Sequence, residues 1–462
     1  MSRLRRGLGP LDGAAIVVAN VVGTGIFLTP AFIARRVPDA TAFVGLWVLG
    51  GVLAVVGALA YAELAAMRPR AGGEYVYIRE AFGPLAGFLS GWTSLIAGFS
   101  GAIAASAVGF AVYLDRLLPG AGSTEAIVAV PLGVPGLDAT VSPRALVALA
   151  VIAGFTAVHV RGLVAGRLAQ QGLAWLNVVT ILALVVLGLL ADPDPGAVTE
   201  GARAAAGAGS GDGSSPEAGG ALVALVLVMF TYSGWNAAAY VAGELRDPGR
   251  SIPVSLLAGT GVVIVLYLAL NVLYVTTLGI GGLAAAEAAG DRVVAVLWGA
   301  AGTRLFTPLI LLALASSVSA MVMTGPRVYF AMAEDRCLPK PFGRVSGRDV
   351  PVFSIAVQGV WSAVLVLTGG FEALLTYTGF AIVLFGGLGV GALFVLRHRR
   401  PDDDRPFRAW GYPWAPALFI AAAVAMVVQS VLRAPVPSLA GLALIGVGVP
   451  VYGWVGKSET RD

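Results

Sequence analysis

Val21-Val22-Gly23-Thr24-Gly25-Ile26-Phe27 lies in the middle of the first long apolar segment of the chain. Lipid offers a backbone no hydrogen-bond partners, so a spanning segment has to satisfy itself as a helix. Each glycine weakens a helix interior by about 1 kcal/mol relative to alanine. Two readings account for glycines at this depth. One is a local break that frees N–H and C=O groups for a ligand, the device of carriers with discontinuous helices. The other is close helix packing through small residues.

The surrounding sequence sets the class. Hydrophobic residues make up 58% and charged residues 12%, and the mean hydropathy is +0.86. Soluble domains carry about 25% charge, so this is an all-α integral membrane protein. Read as stretches of about 20 apolar residues, the chain predicts twelve transmembrane helices: 11–35, 41–67, 83–117, 143–160, 165–191, 219–243, 254–278, 304–332, 351–368, 372–396, 413–432 and 436–456. The third and eighth exceed what a span needs, which predicts tilt or extension into solvent. With the N-terminus inside, 22 of the 30 Lys and Arg residues fall on cytoplasmic segments. The positive-inside rule thus predicts a multi-pass protein with both termini cytoplasmic, and a plasma-membrane location is expected. The same rule accounts for the net charge of +4, so no nucleic-acid partner is implied.

The layout predicts a first half over 1–191, an external loop over 192–218, a second half over 219–396, and a final unit over 397–462. That last unit holds a cytoplasmic loop, two spans and the tail. Residues 192–218, rich in Gly, Ala, Ser and Asp, suit a flexible linker. Residues 118–142 form a second external loop. The charge-mixed run 397–410 is expected to be a solvated loop. Arg3, Arg5 and Arg6 precede a full-length span rather than a short apolar core, so no cleavable signal is expected. The lone Cys337 excludes an intramolecular disulfide and a cysteine-cluster metal site, and two histidines, His159 and His398, leave no His-rich site. No metal is expected, and no cofactor beyond a coupling ion, Na⁺ or H⁺.

Ser233-Gly234 interrupts the sixth span as Gly23-Thr24-Gly25 interrupts the first, five spans earlier. Matched interruptions point to a midplane site between inverted repeats. At such breaks a half-helix N-terminus suits a carboxylate and a C-terminus suits a cation. Two breaks side by side therefore suit a zwitterion. Thr24, Gly25 and Ile26 are candidate amide donors. Carbonyls near Val21, Phe230 and Ser233 are candidate acceptors for an ammonium.

Five motifs resemble the amino acid–polyamine–organocation (APC) superfamily of permeases, and within it the L-type-like amino-acid transporters. They are Gly23-Thr24-Gly25-Ile26-Phe27, Pro69 through Tyr77, Phe230 through Asn236, Glu244 through Pro253, and Pro326 through Pro339. The resemblance implies a 5+5 inverted repeat with broken helices 1 and 6, plus helices 11 and 12. It implies secondary active transport of amino acids by alternating access, with Phe230 as an aromatic gate. Substrate binding falls to Val21, Gly23, Thr24, Gly25, Ile26, Phe230, Ser233 and Gly234. Tyr75, Tyr77 and Trp235 are expected to pack. Glu63 and Glu244 are expected to pair with arginines, and Arg250 and Asp247 are candidates for the same inner network. Relatives that work without sodium carry a lysine in the fifth span. Here Asn177 holds that position, and the only lysines are Lys340 and Lys457. Asn177 is either a neutral stand-in or the mark of an open cation position, with Ala19, Val22, Ser316, Ser317 and Ser319 as its candidate neighbours. A partner subunit is left open.

The interior stretches of spans 1, 3, 6, 8 and 10 carry no ionisable residue to face a central pocket, which favours a small neutral amino acid. The alternatives of the same fold are a permease for polyamines or other amines and a sodium-coupled symporter. A membrane enzyme would need a reactive constellation inside the spans, a channel a filter or charge ring, and an ATP-driven pump a phosphate loop. The sequence contains none of these.

Overall fold

The computed structural model describes residues 6–134, 137–191, 220–347, 349–368, 371–433 and 435–459. The expected external loop 192–218 lies outside them, as do residues 1–5 and 460–462. The elements are α1 (Pro10–Val21), α2 (Thr24–Arg36), α3 (Ala40–Met67), α4 (Glu74–Phe82), α5 (Pro84–Thr93), a π-helical turn (Ser94–Gly98), α6 (Phe99–Leu114), β1 (Val128–Val134), β2 (Leu137–Val141), α7 (Pro143–Val160) and α8 (Leu163–Leu190). After the undescribed loop come α9 (Gly220–Thr231), α10 (Ala237–Tyr240), α11 (Pro248–Ala285), α12 (Ala289–Thr324), α13 (Pro326–Glu334), α14 (Val352–Thr368), α15 (Phe371–Arg399), α16 (Trp414–Arg433) and α17 (Pro435–Glu459).

Local chemistry sets several boundaries. Asp39 caps α3, its carboxylate accepting from the Ala42 amide at 2.7 Å, and Ser142 caps α7 through the Ala145 amide. Pro84 and Pro143 occupy first-turn positions, where the missing N–H costs nothing. Among the described residues nine helices are long and apolar enough to cross a bilayer, and the bent pair α1–α2 makes ten. The sixth and ninth expected spans appear as the shorter apolar helices α9 and α14. The long eighth segment starts at Ala289 rather than at 304 and is broken at Gly299, with φ +58. The third span runs from Pro84 to Leu114 through the π-helical turn.

Large apolar side chains stay exposed along the outer helices, including Trp175, Val179 and Leu182 on α8 and Val265 on α11. In a bilayer such a surface faces acyl chains, so its exposure carries no penalty. Inside, α11 packs along α1 and α3 while α12 packs along α6 and α8.

Two expected loops turn out structured. The loop over 118–142, expected to be external, contains an antiparallel hairpin, with Val128 opposite Val141 and Ala129 opposite Thr140. The 397–410 segment is not a free solvated loop. Arg397 grips the buried Glu63 carboxylate at 2.8 and 2.6 Å, and the Ala409 amide donates to it at 2.7 Å. Asp403 pairs with Arg68, whose guanidinium holds that carboxyl below the ordinary aspartate range. Glu63 of α3 and Glu80 of α4, the latter 3.8 Å from Arg400, hold the segment against the ends of the helices.

Candidate functional site

The two breaks meet. α1 and α2 are bent by 42° across Val22-Gly23. α9 ends at Thr231, residues 232–236 form turns, and α10 resumes at Ala237. Gly234 has φ +102, and a Cβ there would stand 2.8 Å from the Asn20 carbonyl carbon. A Cβ on Gly25 would stand 2.9 Å from Thr231 Cα. Glycine is required at both points because two backbones touch, and at Gly234 the left-handed conformation requires it again. The Thr29 hydroxyl lies 2.7 Å from both the Gly25 carbonyl and the Thr231 hydroxyl, joining the two breaks. The amides at the start of α2, those of Thr24, Gly25 and Ile26, have no acceptor within their own helix. None takes another backbone acceptor among the described residues.

A cavity of about 70 Å³ adjoins the crossing. At ~10–15 Å³ per water on this measure, it has the room of about five waters, which suits a small ligand. Its polar wall comes from Asn20, Glu74, Ser94, Ser233, Asn236 and Tyr240, and its apolar wall includes Phe99, Met321 and Ile382.

Of the expected substrate residues, Ser233 and Gly234 line this cavity. Val21, Gly23, Thr24, Gly25 and Ile26 are buried in the adjoining break and do not line it. Two of the expected ammonium acceptors already hold partners. The Val21 carbonyl accepts from the Tyr267 hydroxyl at 2.7 Å, and the Phe230 carbonyl accepts from the Ser233 amide at 3.0 Å. Phe230 is buried in a cluster with Ile103, Val318 and Val322, away from the cavity lining.

The expected cation positions are all buried, but they do not form one set. Ala19 packs with Ala174 and Ala320, and Val22 is fully buried. Among the described residues neither amide atom of Asn177 has a hydrogen-bond partner, and nor has the Ser316 hydroxyl. Ser317 fills the space beside Gly23, where a Cβ would meet its Oγ at 2.4 Å. Ser319 is drawn off by His159, with Nε2 2.9 Å from its Oγ. Among the described residues no group of three or more His, Cys, Asp or Glu is placed to hold a metal.

An arginine–carboxylate network lies around the site. Glu244 pairs with Arg327 at 3.0 Å, both side chains 1% exposed. Asp335 pairs with Arg70 at 3.0 Å and Arg79 at 3.4 Å and accepts from the Tyr75 hydroxyl. Trp235 packs on Tyr61 and Phe419. Arg250 and Asp247 share a backbone hydrogen bond.

Sequence reasoning missed Glu74. The spans carry no acid that faces the pocket, yet the short helix α4, from the loop before the third span, brings one to the cavity wall. The signal was Gly72-Gly73. A Cβ on Gly73 would stand 2.5 Å from the Tyr240 ring, and the Gly72 amide donates to the Tyr240 carbonyl at 3.2 Å. The glycine pair lets this loop lie directly against the sixth-span break.

The family model described as "Amino acid permease" matches residues 8–450. The chain is 28% identical over 458 residues to the human large neutral amino acids transporter small subunit 2, covering 97% of this chain and 80% of the relative. It is 26% identical to the Mus musculus b(0,+)-type amino acid transporter 1, covering 94% of this chain and 83% of the relative. It is 27% identical to the serine/threonine exchanger SteT of Bacillus subtilis (strain 168), covering 97% and 96%. The family and these relatives are permeases rather than enzymes.

Proposed function

The chain belongs to the amino acid permease family, an integral multi-pass membrane protein, and from that premise we propose that it carries small neutral L-amino acids by alternating access. It works as a secondary active transporter of the plasma membrane, with both termini cytoplasmic. Its twelve spans form a 5+5 inverted repeat followed by two further helices. The observation that carries this reading is the meeting of two broken helices at Asn20 and Gly234, beside a small cavity with polar walls. The amides of Thr24, Gly25 and Ile26 take the substrate carboxylate, as a helix N-terminus favours. Carbonyls of the sixth-span turn take the ammonium. Phe230, next to that turn, swings over the ligand as the gate during closure.

The test is exchange of labelled L-serine, L-alanine and L-leucine in proteoliposomes. Saturable counterflow by at least one of them, outcompeted by other neutral amino acids, is expected. A non-saturating flux would indicate a pore. Preference for spermidine or another polyamine would favour the amine-permease alternative.

One observation favours a second reading, sodium-coupled symport. Asn177 and Ser316 bury polar atoms without partners, and such oxygens suit a hard monovalent ion. The leading expectation is transport without sodium, with Asn177 as the neutral stand-in.

A further inference from the structure

Among the described residues three glutamates are buried, and two of them are paired with arginine. Glu63 meets Arg397 and Arg405, and Glu244 meets Arg327. Glu74 makes no ion pair among the described residues, although it is only 9% exposed. Its Oε2 accepts from the Tyr61 hydroxyl at 3.0 Å and from Asn236 Nδ2 at 3.3 Å. Asn236 Nδ2 also donates to the Tyr240 hydroxyl at 2.9 Å. Asn236 belongs to the sixth-span turn with Ser233 and Gly234 and shares the cavity wall with them. The acid therefore hangs on the segment assigned above to the ligand.

We infer that Glu74 is a proton-binding site linked to the substrate site through Asn236, so that closing the cavity around a neutral amino acid takes up a proton on this carboxyl. The inference rests on the proposed amino-acid site and adds its coupling.

The physical ground is the cost of an isolated buried carboxylate, which a protein avoids by protonation where no cation is at hand. A zwitterion brings no net charge, and its ammonium is taken by the turn. The titratable neighbours are phenols: Tyr61 from α3, Tyr77 from α4 itself and Tyr240 from α10. Tyr329 from α13 donates to the Ser94 carbonyl, and Ser94 in turn bonds Glu74. Arg327 of α13 and Arg397 of α15 are committed to Glu244 and Glu63. α5 carries no titratable residue. Burial pushes the Glu74 carboxyl up to about 7, against the pull of hydrogen bonds from Tyr61, Tyr240 and Ser94.

The sign follows. Buried as it is in this structure, the carboxyl is pushed up to about 7, and closure around the ligand would preserve that burial. Admitting water to the cavity would remove the desolvation and return the carboxyl toward the ordinary glutamate value of about 4.3. Between those values closure binds a proton, so substrate affinity is highest at low pH and falls as pH rises through 7. By linkage, substrate raises proton affinity by the same factor. The apparent Kd for L-serine is expected to weaken about tenfold between pH 6 and pH 8, the factor that such a shift gives.

The test measures L-serine, L-alanine and L-leucine binding to the purified full chain at pH 6, 7 and 8. Proton uptake on ligand addition is read with an indicator dye in weak buffer. The parent protein is expected to show the tenfold slope and uptake of a fraction of a proton per chain at pH 7. Glu74→Gln, a permanently neutral analogue, should show a flat Kd profile and no uptake. Glu74→Asp should keep a slope. A pH-independent Kd with no proton uptake by the parent overturns the inference without requiring any variant to fold. So does a Glu74→Gln protein that keeps the slope. Preferential binding of L-arginine or L-lysine, lost in Glu74→Gln, would make the carboxylate a substrate counter-ion and overturn it as well. If the parent binds and exchanges no amino acid at all, the proposed function itself has failed, and the inference falls with it.

Discussion

Removing the Glu63 carboxylate should release the 397–410 segment. Glu63 is fully buried on α3 and collects Arg397 through two hydrogen bonds, Arg405 at 3.4 Å and the Ala409 amide. Glu63→Ala leaves Arg405, 7% exposed, without its counter-charge, and leaves a buried N–H without an acceptor. Breaking one side of a buried pair costs about 3–5 kcal/mol. The lower end applies because Arg397 is 21% exposed and can hydrate in place, and its guanidinium keeps the Tyr412 ring at 3.8 Å. Roughly 3 kcal/mol, at about 2 °C per kcal/mol for a large chain, predicts a melting temperature lower by about 6 °C in detergent. Glu63→Gln keeps an acceptor for Ala409 and should cost about half as much. Limited trypsin digestion gives the local readout, since the Arg408–Ala409 bond should become cleavable well below the melting temperature. A Glu63→Ala protein that melts within about 1 °C of the parent and resists cleavage there would show that the segment is held by other contacts.

Gly234→Ala places a Cβ against the Asn20 backbone in a left-handed conformation. A loss of about 2–4 kcal/mol is expected, together with loss of the thermal shift on amino-acid addition; a normal shift would remove the break from the site. Phe230→Ala should retain some binding but lose most counterflow, while deletion of a buried ring costs about 3–5 kcal/mol; unchanged turnover would return Phe230 to a packing role. Uptake at fixed pH should be equal in sodium and in choline, and a sodium requirement abolished by Asn177→Lys would instead establish the open cation position. Arg327→Met should cost about 3–5 kcal/mol by leaving Glu244 buried and unpaired, and the double variant Arg327→Met with Glu244→Gln should recover much of that loss in the same melting assay.

The breaks were legible because their cause is local. A Gly-Thr-Gly run at mid-membrane or a Ser-Gly pair in the sixth span weakens the helix wherever its neighbours lie. The hairpin in the external loop was also within reach, since Val128, Val130, Thr140 and Val141 are good strand formers. What the sequence could not show depends on partners far along the chain. A charge-mixed run such as 397–410 ordinarily faces water, and partners far back in the chain, Glu63 at 334 positions before Arg397 and Arg68 beside Asp403, turn it into a docked segment. Ser319 looked like a free hydroxyl because its partner His159 lies 160 positions away. Glu74 drew no notice in the sequence because part of its surroundings, Asn236 and Tyr240, comes from the other half of the chain.

The three buried glutamates divide the same problem into two solutions. Glu63 and Glu244 are each paired with a guanidinium, whose planar, fixed donors reach both carboxylate oxygens. Those pairs join segments distant in sequence, α3 to the 397–410 run and the loop after α10 to α13, so they suit fixed points of assembly. Glu74 has only hydroxyl and amide donors, gathered largely on one oxygen. Neutral donors leave the charged and protonated forms close enough in free energy for the balance to respond to hydration of the cavity. A carrier that alternately wets and dries one small cavity changes that hydration in every cycle. The acid left without an arginine is also the one on the wall of that cavity, so the group whose protonation is easiest to move sits where the cycle can move it.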